Sequence, residues 1–391
     1  MNLNRRQFSA ALLTAAAVVP PRTHAADGTL TVNKLVDPSK LIPIAITGFT
    51  GEVLSTLRFD LEVAGCAVVS ADQAVALVHG TNGARLEGFV SDRAKNYLLT
   101  KGYAGAGARQ LAHAFADDVV FTLTRTRGIA QTRVAFKSKA ANNTGEIFVA
   151  DYDGHNAVAV TRDGAIIAAP SWGPGSQWLA YTSYKLNNPD IFSHNLVTGE
   201  RHIVARYGGS NMSPAVAPGG RLVAMILSKD GKPDLYVADI HGRGLQQLTR
   251  SREGVSSPCW SPDGQWICYV SNDEGPALLY RIPANGGAPQ RLRTTGVFNA
   301  TEPDWSPDGK SIAFTTQGGG FDICVVPAGG GEVQRLCAGQ DPTWAPNSRT
   351  VMFCKRGRGG PLSLSLLDVP TKRVKDVPLN FGNCSQPTWA R

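Results

Sequence analysis

Charge is scarce in this sequence. Only 18% of its 391 residues are Asp, Glu, Lys or Arg, although the balance is basic, with a net charge of +8. A basic balance can serve nucleic acid or an anionic surface, but that use needs clustered cations. The densest groups here are Lys355-Arg356 with Arg358 and Lys372-Arg373 with Lys375. Groups this short describe a solvated basic surface and give no footprint for nucleic acid. Long apolar runs are missing too: the Ala-rich stretch from Ala10 to Val19 is too short to span a bilayer. No Gly-x-Ser-x-Gly occurs, so the nucleophile elbow of the α/β-hydrolases is absent. None of the seven cysteines falls in a CxxC or Cys/His metal spacing, and the seven histidines (24, 79, 113, 155, 194, 202 and 241) are dispersed. The marks of a nucleophilic or zinc enzyme are not visible, and no cofactor is called for.

An odd cysteine count leaves at least one thiol free or paired between chains. Cys268, Cys324 and Cys354 lie in strand patterns, where a buried thiol acts as a small hydrophobe. Cys324 and Cys337, on neighbouring strands, are a candidate bridge.

What the chain has in quantity is turn residues, 42 glycines and 24 prolines. Many of them recur in phase. The stretch Ser257-Pro-Cys-Trp-Ser-Pro-Asp-Gly-Gln-Trp-Ile-Cys-Tyr-Val-Ser271 reads as strand, turn, strand. Pro262 presets φ, Asp263 bonds its own backbone, Gly264 takes the positive φ, and the β-branched and aromatic run that follows suits a pleated surface. Its Pro-x-aromatic position repeats at Trp172, Val216, Trp260, Trp305, Trp344 and Trp389, in steps of 44, 44, 45, 39 and 45 residues. A period of roughly 40–45 residues is that of a propeller blade.

In chain order, residues 1–25 read as an export signal. Arg5-Arg6-Gln7-Phe8, a weakly apolar core and Arg22 before Thr23-His24-Ala25 resemble a twin-arginine signal, with an ordinary secretory signal as the alternative. Either implies a periplasmic protein. Residues 26–127 then predict a small α/β domain: a strand over Ile42–Thr47, a helix over Glu52–Ala64 ended by Gly65, a strand over Cys66–Val69, a second helix over Ala71–His79, a hairpin over Arg85–Val90 and Asn96–Tyr103, and a helix over Arg109–Leu123. Gly102-Tyr-Ala-Gly-Ala-Gly107 lacks the spacing of a phosphate loop and reads as a turn and helix start.

Residues 128–391 are the repeats, and they predict a mainly β protein with a six-bladed propeller. Each Pro-x-Trp strand is followed by three more, as in Trp266–Val270, Leu278–Ile282 and Gln290–Leu292. A triplet at Arg133–Lys137, Glu146–Asp151 and Ala157–Thr161 has no such first strand, while Pro387-Thr-Trp389 has no triplet after it. The ring therefore closes by pairing the C-terminal strand with the first triplet, which leaves no long sheet edge. Asp151-Tyr-Asp153-Gly154 resembles part of a calcium loop, yet without the later bidentate carboxylate it reads as a hairpin turn. A cation in the central channel is left open.

Small polar residues precede each Pro-x-Trp: Ser210, Asn211 and Ser213; Val255, Ser256 and Ser257; Asn299, Thr301 and Glu302; Cys384, Ser385 and Gln386. They fall at one end of the channel, where loops can dock a protein or simply satisfy turn backbones.

The Pro-x-Trp-Ser-Pro-Asp-Gly series, Thr132-Arg-Val-Ala-Phe136, Val149-Ala-Asp-Tyr-Asp-Gly-His-Asn156, Gly286-Gly-Ala-Pro-Gln-Arg291 and Pro387-Thr-Trp389 resemble the TolB family. That resemblance implies a non-enzymatic adaptor of the periplasmic Tol–Pal system, serving outer-membrane integrity and cell division. A Pal-like lipoprotein would dock on Ser210, Ser213 and Ser256, with Ser257, Thr301 and Glu302 nearby. A TolA-like protein would engage the mature N-terminus from Ala26 through Ile44, including Asp27, Val32, Leu35, Val36 and Asp37, as an added strand. Other outer-membrane proteins are further candidate partners, and partners alone would bring the chain to a membrane. Two departures from the family are Ser210 in place of a histidine and Val216-Ala217 in place of an aromatic and Ser. The competing reading is a propeller enzyme or ligand-binding protein that uses the central channel.

Overall fold

The computed structural model describes residues 37–140, 142, 144–357, 360–379 and 382–391. The expected export signal lies outside them.

Apolar residues at Val53, Leu57 and Leu61 recur once per turn, so Gly51–Val63 winds into helix α1 with that stripe buried. Gly65, at φ 89°, turns the chain from α1 into a strand. The flanking strands are β1 (Ile42–Thr47), β2 (Cys66–Val68), β3 (Ala76–Asn82), β4 (Leu86–Asp92) and β5 (Tyr97–Tyr103), followed by helix α2 (Ala108–Thr124). They form one sheet in the order β2-β1-β3-β4-β5. One expectation fails: the helix over Ala71–His79 is a turn followed by β3. Val78 pairs with Ile46 on one side and Val90 on the other, so the segment alternates with period two. An apolar run this short does not separate strand from helix. Gly102 and Tyr103 close β5, and Gly107 caps α2 with its N–H on Gln110 Oε1, so the glycine run is a turn and helix start. Phe115 of α2 packs over Gly88 of β4 and against Tyr103 and Phe49.

From Arg133 to Trp389 the chain builds six four-stranded blades. Their innermost strands are Ile167–Trp172, Asn211–Val216, Val255–Trp260, Ala300–Trp305, Gln340–Trp344 and Cys384–Trp389; the blades are numbered one to six in that order. Blade six runs Cys384–Trp389, Arg133–Lys139, Gly145–Asp151, Val158–Ala159, with Trp389 opposite Val134 and Thr388 opposite Ala135. The C-terminal strand thus closes the ring. Trp172 Nε1 donates to Thr388 O in blade six and Trp260 Nε1 to Ala215 O in blade two, so two of the repeated indoles staple neighbouring blades. Cys66, Cys259, Cys268, Cys324, Cys337 and Cys354 are free thiols. The Cys324–Cys337 bridge is not made, because Cys337 stands opposite Ile323 and Cys324 opposite Arg335.

Each innermost strand starts at one end of the propeller and finishes at its tryptophan-side turn at the other. The α/β region packs on the turn end. Leu57, Leu61 and Phe115 share one core with Tyr152, Met352, Leu366 and Trp389. Arg373 Nη1 donates to Cys66 O at 2.9 Å, and Lys375 pairs with Glu62. The strand-start end is the opposite face.

Candidate docking face and channel

The channel is shaped by one backbone event repeated six times. In every blade the residue before the proline of Pro-x-Trp has a left-handed φ: Ala169 51°, Ser213 51°, Ser257 50°, Glu302 54°, Asp341 55° and Gln386 51°. Each falls in an interruption of the pairing with the second strand. A non-glycine residue in this region costs on the order of 1–2 kcal/mol, and a bulge re-aims the side chain it carries. The six form a ring that lines a channel of about 430 Å³, which continues to the prolines of the next turns, Pro174, Pro218, Pro262 and Pro307.

Half of this ring is knitted together between blades. The Asp341 N–H donates to Glu302 Oε2 (2.9 Å), the Gln386 N–H to Asp341 Oδ2 (3.0 Å) and the Ala169 N–H to Gln386 Oε1 (3.0 Å). Thr315 Oγ1 also donates to Glu302 Oε2 at 2.7 Å. Burial and the neighbouring Asp341 carboxylate push Glu302 up to about 8, so it keeps its proton at neutral pH. Where the ring carries Ala169, Ser213 and Ser257, short side chains leave room. Ser213 there donates its N–H to Thr182 Oγ1. Among the described residues no three His, Cys, Asp or Glu side chains converge as metal ligands.

The structure sorts the six expected Pal-contact residues into tiers. Ser213, Ser257 and Glu302 belong to the ring. Ser256 and Thr301 lie one residue closer to the strand-start mouth, where Ser256 pairs with Val270 and Thr301 with Thr315. Ser210 sits farther out, its N–H on Ser228 Oγ at 2.7 Å and its carbonyl accepting from the Ser228 N–H. Asn211 opens its strand and ties down the turn before it: Oδ1 accepts from the Tyr207 N–H and Nδ2 donates to Tyr207 O and Pro189 O. Sequence reasoning missed Ala169 and Asp341, although both precede a proline of the same repeat. Asp27, Val32, Leu35 and Val36 lie outside the described residues. Asp37 is exposed and accepts from the N–H and hydroxyl of Ser39.

Sequence reasoning also missed a second cluster, at the turn end. Asp151–Gly154 is the expected hairpin turn, with the Gly154 N–H on Asp151 O and φ 86°. Its Asp153 side chain is fully buried, however, and faces cations from α2. Arg109 Nε donates to Asp153 Oδ2 at 3.0 Å, a second Arg109 nitrogen pairs with the same oxygen, and His113 Nε2 lies 3.4 Å away. His113 Nδ1 is 2.7 Å from Asp60 Oδ2 of α1, and the Tyr152 hydroxyl donates to Asp60 Oδ1. Burial would lower the His113 imidazole, but the nearby Asp153 and Asp60 carboxylates win and push it up to about 9. Burial likewise opposes ionisation of Asp153, yet His113 and Arg109 hold its carboxyl far below the usual range. Burial raises Asp60, against the pull of His113 and Tyr152. The cluster pins α1 and α2 to blade six.

A family model described as the TolB beta propeller domain matches residues 120–391. The chain belongs to the TolB beta-propeller family. The Tol-Pal system protein TolB of Polaromonas sp. (strain JS666 / ATCC BAA-500) is 32% identical over 204 residues, covering 44% of this chain and 48% of that protein. The same-named protein of Dechloromonas aromatica (strain RCB) is 31% identical over 204 residues, with the same coverage of both chains. The chain thus spans about half the length of the curated TolB relatives it matches. TolB from Acinetobacter baumannii shares the fold across both regions: TM-score 0.81 at 22% identity, covering 90% of this chain and 97% of that one. A putative TolB from Agrobacterium tumefaciens has a TM-score of 0.52 at 20% identity, over 64% of this chain and 91% of that one. No helix among the described residues is long and apolar enough to cross a membrane.

Proposed function

We propose that this TolB-family chain is a non-enzymatic periplasmic adaptor of the Tol–Pal system. In this reading residues 1–25 direct export, 26–127 form the N-terminal domain and 128–391 the propeller. A Pal-like lipoprotein docks on the strand-start face through Ser256, Thr301 and the ring residues Ser213, Ser257 and Glu302, with Ser210 at the periphery. A TolA-like protein engages the segment around Asp27 to Asp37, and the assembly serves outer-membrane integrity and division. One observation carries the reading: the α/β region occupies the turn end of the propeller, which leaves the mouth with its bulged ring for a partner.

A channel enzyme is the weaker alternative. Glu302 and Asp341 each accept a backbone N–H from the next blade, which suits holding a rim rather than transferring protons. Purified chain immobilised as bait should capture the Pal homologue of the same organism, and Ser256→Arg should abolish capture without lowering the thermal midpoint. A wild-type chain that retains no Pal, or an Arg variant that retains it undiminished, would reject this face.

A further inference from the structure

The seven thiols are not equivalent. Cys259 and Cys268 stand directly opposite one another on the first and second strands of blade three. Both are buried in one cluster with Val270, Leu279 and Phe314. Opposed residues of an antiparallel pair have Cα atoms about 4.5–5.5 Å apart, inside the roughly 4.4–6.8 Å that a disulfide spans. Among the described strand pairings no other two cysteines are partners: Cys337 faces Ile323, Cys354 faces Gln340 and Leu364, and Cys384 faces Ser138.

We infer that Cys259 and Cys268 are a dithiol site that closes to a cross-strand disulfide when an organic or protein disulfide is supplied. Its use in the cell rests on the export reading above. Cys259, which lines the channel, provides the entry point. Its thiolate attacks one sulfur of the external disulfide, forming a mixed disulfide and expelling one thiolate. The Cys268 thiolate then attacks Cys259 Sγ and expels the second. The external disulfide gains two electrons and leaves as two thiols, which take up the two cysteine protons. The protein loses two electrons and two protons. The contact with Cys268 and burial push the Cys259 thiol well up, so exchange in the folded chain is slow, and closure is fastest while the blade is forming.

The bond would tie the strand that carries Ser256 and Ser257 to Trp266–Ser271, just past its bulge. The rim of the proposed docking face would then be fixed in blade three and in no other blade.

The test uses full-length chain, reduced and unfolded, then refolded with excess glutathione disulfide. The sample is acid-quenched and alkylated in denaturant without reductant, and its intact mass and peptide map are recorded. Five alkylated cysteines are expected, the seven of the chain less the two joined, with one linked peptide pair joining 259 to 268. Cys268→Ala, treated identically, should show no linked pair. Seven alkylated thiols, a stable glutathione adduct on Cys259, or a link between any other pair overturns the inference. Oxidant is added in the tube and no partner is present, so neither failed Pal capture nor failed export can produce these results.

Discussion

Asp153→Asn probes the contact on which the two regions depend. The substitution keeps the shape and one acceptor oxygen but removes the charge that Arg109 and His113 face. Those cations are 16% and 5% exposed at their side chains, so water does not replace the lost carboxylate. Breaking a buried pair on one side costs about 3–5 kcal/mol; the retained amide oxygen puts the expected loss near the lower figure, about 3 kcal/mol. His113 gives the scale for its two carboxylates together. Its pKa rises from 6.5 to about 9 on folding, and at about 1.4 kcal/mol per unit that is about 3 kcal/mol shared between Asp60 and Asp153. A raised histidine stabilises fully below its unfolded value and loses that contribution as pH climbs through the folded one. Wild-type stability from this contact should therefore hold near pH 6 and decline between about 6.5 and 9. Asp153 works in the opposite direction, contributing above its unfolded pKa and failing only in strong acid. The seven tryptophans run from Trp172 to Trp389, so fluorescence follows the propeller, whereas far-UV circular dichroism at the helix band follows α1 and α2. In urea, Asp153→Asn should lose helix signal before tryptophan signal, and Arg109→Leu added to it should cost less than the sum of the single changes. A variant whose two transitions stay coincident, with a loss under about 0.5 kcal/mol, would refute the pinning role.

Further outcomes follow from the ring and the sheets. Glu302 has its pKa raised from 4.5 to about 8, so it favours the fold while protonated, and stability falls as pH rises from about 4.5 to 8. Glu302→Gln should flatten that slope in thermal melts and be the more stable protein at pH 9, by at most about 5 kcal/mol; parallel pH profiles would contradict this. Deleting residues 387–391 removes Trp389, whose Nε1 donates to Thr132 Oγ1, and Arg391, which donates to Trp305 O and Trp344 O. Its cooperative melt should drop sharply, and an unchanged melt would contradict ring closure as the source of stability. Gly88→Ala places a methyl about 2.5 Å from the Phe115 ring, which should cost roughly 1–3 kcal/mol in urea titration while leaving the tryptophan spectrum of the folded state unchanged.

Much of the fold was legible because its signals are local. The Pro-Asp-Gly turns demand particular φ values, the period of the Trp positions counts the blades, and an orphan strand at Pro387-Thr-Trp389 has one place to pair. The miss at Ala71–His79 was local too: four or five apolar residues fit either period until β1 and β4 lie on both sides. The site was legible in outline only. The repeat located the residues before each proline at one mouth, but it did not distinguish the bulged ring from the tier above it.

The sequence alone determined the repeat, the turns and the closure, since each depends on residues near in the chain or on a fixed spacing. Tertiary structure decided the rest. Asp153, His113 and Asp60 come from a blade turn and two helices, and nothing in their own neighbourhoods marks them as one buried ionic cluster. Glu302 is held protonated by burial and by Asp341 in the next blade, 39 residues on, and Cys259 meets Cys268 because of strand register. Charge, acidity and thiol pairing depend on distances across space, and a chain supplies those only after it has folded.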